Sequence, residues 1–222
     1  MKIVPTLTLR DYAYERGLAS IRTAIDSSVP SLEERLRANR AEIEQVRQHL
    51  PDDYDAGDDP DGSDAAAFAR HTDLIMAIHS DQVALNELCK AFVLALYHYW
   101  EVAVSIWARK QSPSNKAIHS FGNLVTKAAE LGYRSHADLA TVSRVANLIK
   151  HDNQDKRSKL KKIAPERAAS IIGHCIPTLP FLSDVRITPE TLEWVFATVQ
   201  GSGGSLAQPR TPFGPPRPDG TM

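Results

Sequence analysis

The stretch "AFVLALYHYWEVAVSIWA", Ala91 to Ala108, constrains this chain more than any other. Wound as a helix it is apolar almost all round, and such a helix must be surrounded. Its eighteen residues are about the minimum for a membrane span. His98 and Glu101, however, fall at its middle, and an acid there costs about 2.5–3.5 kcal/mol on insertion. The expectation is therefore the buried helix of a soluble bundle, with no membrane. Trp100 and Trp107 share a face at a spacing of seven, as core or as dimer interface. Hydrophobic residues make up 42% of the 222, enough for one core with appendages or two small ones.

The other segments read as helices too. "SLEERLRANRAEIEQVRQHL" opens with Ser31 and Glu34 in a capping box, and its apolar positions are sparse. From Ala65 to Lys110 the pattern is helical, with a break expected near His79–Asp81. "SPSNKAIHSFGNLVTKAAELGY" is amphipathic and ends at Gly132, a natural residue to follow a helix. "SHADLATVSRVANLIKHD" starts with a second capping box, Ser135 with Asp138. Pro165 and Pro189 stand at first helical positions, the latter behind Thr188 as N-cap. A short extended piece is conceivable only at Ile3–Leu9. The fold expected is all-α, an up-and-down helical bundle.

Composition marks the boundaries. "PDDYDAGDDPDGSD" holds seven aspartates in fourteen residues and reads as a linker. Past Gln200 the chain turns Gly- and Pro-rich and reads as a disordered tail. This divides it into an N-terminal helical extension (1–50), an acidic linker (51–64), a bundle (65–200) and a tail (201–222). Lys and Arg total 26 against 27 acids, so overall charge does not mark a nucleic-acid binder. Cys89 and Cys175 lack paired spacing, and the N-terminus lacks an apolar signal core. Both fit a cytoplasmic protein.

The chemistry lies in "RVANLIKHD", Arg144 to Asp152. A step of seven returns to within about 20° on a helix, so Arg144 and His151 share a face with Asn147 between them. Arginine grips phosphate bidentately and histidine moves protons near neutral pH. Seven residues also rise about 10 Å along the axis. For both ends to meet one phosphate, Arg144 must fold back or a second copy must complete the site. The plain alternative is an amphipathic helix with a wet polar face. No His/Cys/Asp/Glu cluster with metal spacing is visible, and no cofactor is expected.

"RVANLIKHD" resembles the R-x4–6-H signature of the HEPN superfamily, with Arg144 and His151 at its ends. "NLIKHDNQDKRSKL" is similar to a run found in HEPN-like bacterial proteins. The resemblance spans roughly Phe68 to Gln200. It implies a helical bundle that acts as a metal-independent endoribonuclease in toxin–antitoxin or antiphage systems. It also implies a homodimer with the paired motifs at the interface. His151 would move a proton at the 2′-hydroxyl or the leaving oxygen, Arg144 would stabilise the phosphorane, and Asn147 would orient His151 or the phosphate. Products would carry a cyclic phosphate. Glu101 resembles the acid that such proteins place on the preceding long helix. The chain departs from the pattern at Val145, where many active members carry a polar residue, and at Asp152 and Gln154, where glycines are expected.

Two supporting features have plain readings beside the functional ones. Glu101, in apolar surroundings, needs a partner, with Arg144 or His151 the obvious ones and a structural ion pair the alternative. Tyr97 and His98, one turn earlier, could line the same site. "KHDNQDKRSKLKK" places Lys150, Lys156, Arg157 and Lys159 where they could bind RNA backbone, or simply be solvated. Three functions follow: an endoribonuclease, a catalytically inactive HEPN-like module that binds RNA, nucleotide or a partner protein such as an antitoxin, and a purely structural helical protein.

Overall fold

The computed structural model describes residues 6–48, 50, 62–111, 120–130, 133, 135–173 and 185–203. Among them run seven helices: α1 (Thr6–Arg47), α2 (Ser63–Gln111), α3 (Phe121–Glu130), α4 (Leu139–Lys150), α5 (Gln154–Ile163), α6 (Pro165–Ile171) and α7 (Pro189–Gln200). A lone antiparallel bridge joins Ile172 to Val185. The protein is an all-α bundle, as the hydrophobic periodicity implies. Most of the acidic stretch (51–61), Gly132, Cys175 and residues 204–222 lie outside the described residues.

α1 is one helix where local signals predict two pieces. The expected extended segment is helical from Thr6 onward, and the capping box at Ser31 sits inside the helix, directly after Pro30. The reason is a stripe that ignores the proline: Asp11, Tyr14, Leu18, Ile25, Val29 and Leu36 are all buried, at steps of three, four or seven. Pro30 cannot donate to the carbonyl four residues back, but burial of this continuous face outweighs one missing bond. α2 likewise runs unbroken through the predicted break at His79–Asp81.

Internal contacts divide the chain into Met1–Thr23 with Lys90–Met222, and Ala24–Cys89. In the second unit, Ile25, Val29, Leu36, Leu74 and Cys89 are buried. Asp81 is also buried, with Arg35 paired to one carboxylate oxygen and Asn39 Nδ2 donating to the other at 3.3 Å. A buried carboxylate is tolerable only with such partners. Asp81 is thus a pairing residue within α2 rather than the helix stop that its type implies.

The first unit is built around aromatic side chains. Val93, Leu96, Tyr97, Trp100, Val104, Trp107 and Ala108 form the buried stripe of α2. Trp100 Nε1 donates to the Ser202 carbonyl at 2.8 Å, and Tyr14 donates to the Val199 carbonyl at 2.7 Å. Trp107 stacks on Tyr133 with ring centroids 4.8 Å apart. The stretch is long and apolar enough to cross a membrane by length and composition, yet here its large side chains pack against protein. Its outer stripe is not buried: Val102 and Ile106 are 40% and 47% exposed.

The turn after α7 closes onto this core. Ser202 and Gly203, placed in the tail by composition, are buried, and a Cβ on Gly203 would stand 2.0 Å from the Tyr14 ring. Gly203→Ala is expected to cost about 1–3 kcal/mol through overpacking. Urea unfolding should show a lower midpoint at unchanged slope; an unchanged midpoint would mean the turn yields freely.

Candidate functional site

α4 forms because one face is apolar and finds a core. Leu139, Val142, Ser143, Val145, Ala146 and Leu148 are buried, while Arg144 and Lys150 point to solvent and Asn147 is half-buried. Val145, which departs from the HEPN pattern, is simply a core residue. The start of the helix differs from expectation. Asp138 occupies the N-cap position without a side-chain cap, because its carboxylate accepts Trp194 Nε1 at 2.9 Å. Ser135 Oγ is buried without a hydrogen bond and caps nothing.

The end of the helix matters more. His151 is the C-cap, with φ −140° and ψ 47°, and its backbone N–H donates to the Asn147 carbonyl at 3.1 Å. The regular step that sets His151 over Arg144 therefore holds only through Lys150. His151 lies beyond the last turn, exposed, with its direction set by the departing chain. Asn147 is not directed at His151 by its amide: Nδ2 donates back to the Ser143 carbonyl at 2.8 Å. Neither the Arg144 nor the His151 side chain forms a hydrogen bond or ion pair among the described residues.

Glu101 meets Arg144 indirectly. Tyr97 and Ser143, both buried, face each other between α2 and α4 with hydroxyls 3.0 Å apart. Burial pushes the Tyr97 phenol well above its usual value; the bond with Ser143 pulls it back, Glu101 raises it again and the Arg144 charge lowers it. Either hydroxyl of the Tyr97–Ser143 pair can be the donor. Glu101, 28% exposed, also lies 3.6 Å from Nδ1 of His98, which is 67% exposed. The cluster is thus His98, Glu101, Tyr97 and Ser143, with Arg144 beside it.

The basic run is less free than its composition implies. Arg157 holds Asp152 through two bonds of 2.7 and 2.8 Å. Lys159 bonds Asp155 at 2.7 Å, with Lys156 at 3.7 Å. The Lys159 hydrogen bond holds the Asp155 carboxyl below its usual range. Asn153 caps α5 by accepting from the Lys156 amide at 3.0 Å. Three of the four cations expected to meet RNA are therefore answered within the chain, and Lys150 remains exposed. Ser143 is the site residue that sequence reasoning does not single out. Its signal is a hydroxyl among apolar positions on α4, which must find a partner once buried.

No protein-family model matches this chain, and no curated protein or solved structure matches it either.

Proposed function

We propose that this protein is a HEPN-like, metal-independent endoribonuclease that acts as a homodimer in the cytoplasm, in a toxin–antitoxin or antiphage setting. The observation that carries the reading is the state of Arg144. Its guanidinium is exposed and uncommitted among the described residues, beside the polar Tyr97–Ser143–Glu101 cluster on an otherwise apolar seam. His151 is equally uncommitted at the end of the same helix. In the reaction, O2′ bonds to phosphorus as His151 takes its proton. The P–O5′ bond breaks, O5′ gains a proton, and a 2′,3′-cyclic phosphate remains. Arg144 stabilises the negative charge that builds on the phosphorane oxygens.

Incubating RNA with the purified protein in EDTA tests this directly, with Arg144→Ala as the control and end-group analysis for cyclic phosphate. Equal background cleavage by both proteins would sink it. One finding favours the second reading, a catalytically inactive module that binds RNA, nucleotide or a partner protein, in its partner-protein form. Lys156, Arg157 and Lys159 are engaged by Asp152 and Asp155, so few cations are left to release counterions from RNA.

The dimer has its own test. Val102 and Ile106 form an exposed apolar pair on α2, on the turns after Glu101. Ile106→Glu should convert a dimer to a monomer in light scattering while leaving helicity unchanged, since the side chain is not part of the core. A wild-type monomer at micromolar concentration would remove the two-copy site.

A further inference from the structure

Within the unit Ala24–Cys89, α1 and α2 pair as an antiparallel hairpin, with Arg35 against Asp81 and Arg70 against Glu42. Its seam follows a heptad rhythm. Leu32, Leu36, Asn39, Ile43 and Val46 line it from α1, and Leu74, Ile78, Asp81 and Leu85 from α2, at steps of three and four. Of these, Leu36, Leu74 and Asp81 are buried and the rest are half-buried. Two helices cover one stripe of each other and no more, so the seam of a lone pair keeps an open edge.

The two flanks of the seam differ. On one, Arg70 is bonded to Glu42 across the helices. On the other, α2 presents Ala69, Thr72, Ile75, Met76 and Val83, which fall within about 120° around the helix. Ile75 is 37% and Met76 65% exposed. Beside them α1 carries Glu33, Arg37, Arg40, Glu44 and Arg47 in a row at steps of four and three. None of these five side chains forms an ion pair among the described residues. Apolar side chains on a flank where a two-stranded hairpin needs charge mark a surface made to be covered.

The order of the charges names the occupant. About its centre at Arg40 the row is complementary to itself: Glu33 answers Arg47, and Arg37 answers Glu44. The hairpin's own pairs put Arg40 close to the level of Met76. About that same level α2 also matches itself, Ile75 against Met76 and Ala69 against Val83. One two-fold axis therefore serves both helices, as a contact between identical surfaces requires.

We propose that this flank binds the same flank of a second copy, the two hairpins forming an antiparallel four-helix bundle. Arg37 of each copy meets Glu44 of the other along α1, and Ile75 meets Met76 along α2. The contact rests on neither the endoribonuclease reading nor the Val102–Ile106 face. Its small apolar area places it among weak, concentration-dependent contacts.

The test isolates it in the full-length Ile106→Glu protein, followed by sedimentation equilibrium. That protein should be monomeric at about 1 µM and dimeric at about 300 µM, as a small interface behaves. Adding Ile75→Glu should hold it monomeric throughout. Adding Arg37→Glu sets like charges together at two symmetric places and should weaken association at least about tenfold. Arg37→Glu combined with Glu44→Arg restores opposite charges at both places and should regain the starting affinity. A protein monomeric at every concentration would overturn the proposal and leave the flank to a partner of another sequence. A double variant as weak as Arg37→Glu alone would overturn it too. Arg37, Glu44 and Ile75 are exposed, so the variants should fold; circular dichroism checks this.

Discussion

Arg144→Ala is expected to cleave RNA about 10²–10³-fold more slowly than the wild type in EDTA, the range for removing one preorganised transition-state donor. The size follows from where the charge is needed. A phosphorane gathers negative charge on its equatorial oxygens, and a planar guanidinium answers two of them at once. Arg144 makes no fold contact among the described residues: it is exposed, on the face of α4 opposite Val142 and Ala146. Its removal should therefore leave stability within about 0.5 kcal/mol of wild type. Arg144→Lys keeps the charge but loses the fork, so it should recover only part of the rate. Quantifying cyclic-phosphate ends against time, beside thermal melts, separates a catalytic loss from an unfolded sample. An Arg144→Ala protein as fast as wild type would assign any observed cleavage to another site.

Trp100→Ala should have the largest effect on stability, about 3–5 kcal/mol for emptying a fully buried indole site. For a chain of this size that corresponds to a fall in Tm of about 6–20 °C. Trp100 is fully buried, contacts the rings of Tyr97 and Phe121, and donates to the Ser202 carbonyl at 2.8 Å. Trp100→Phe separates the two contributions. It keeps most of the apolar surface but leaves the buried Ser202 carbonyl without its donor, at a cost of about 1–3 kcal/mol. Calorimetry on both variants checks the order. A Trp100→Ala protein that melts within 2 °C of wild type, against that expected fall, would mean the indole is not the centre of this core.

Much of the architecture was legible where one signal dominated. α7 begins at Pro189 behind Thr188, and α6 begins at Pro165, because a proline at a first helical position satisfies local and tertiary demands together. The sequence misled where local and long-range signals conflicted. Ser31 and Glu34 form a sound cap motif, yet the buried face running from Tyr14 to Leu36 carries the helix straight through Pro30. Asp81 looks like a break until Arg35 and Asn39 are placed opposite it. The turn at Ser202 and Gly203 reads as tail by composition, and only the Trp100 and Tyr14 rings make it core.

The candidate site divides along the same line. By itself the sequence determined that the chain is helical, that Ala91–Ala108 must be surrounded, and that Arg144 would stand on the polar side of an amphipathic helix. Those are consequences of periodicity, which acts over a few turns. Only the tertiary structure decided that His151 sits past the end of α4, that Ser143 meets Tyr97, and that Asp152 and Asp155 engage the basic run. Each of these depends on where the chain leaves a helix or on a partner brought close by folding. Spacing along a sequence carries neither.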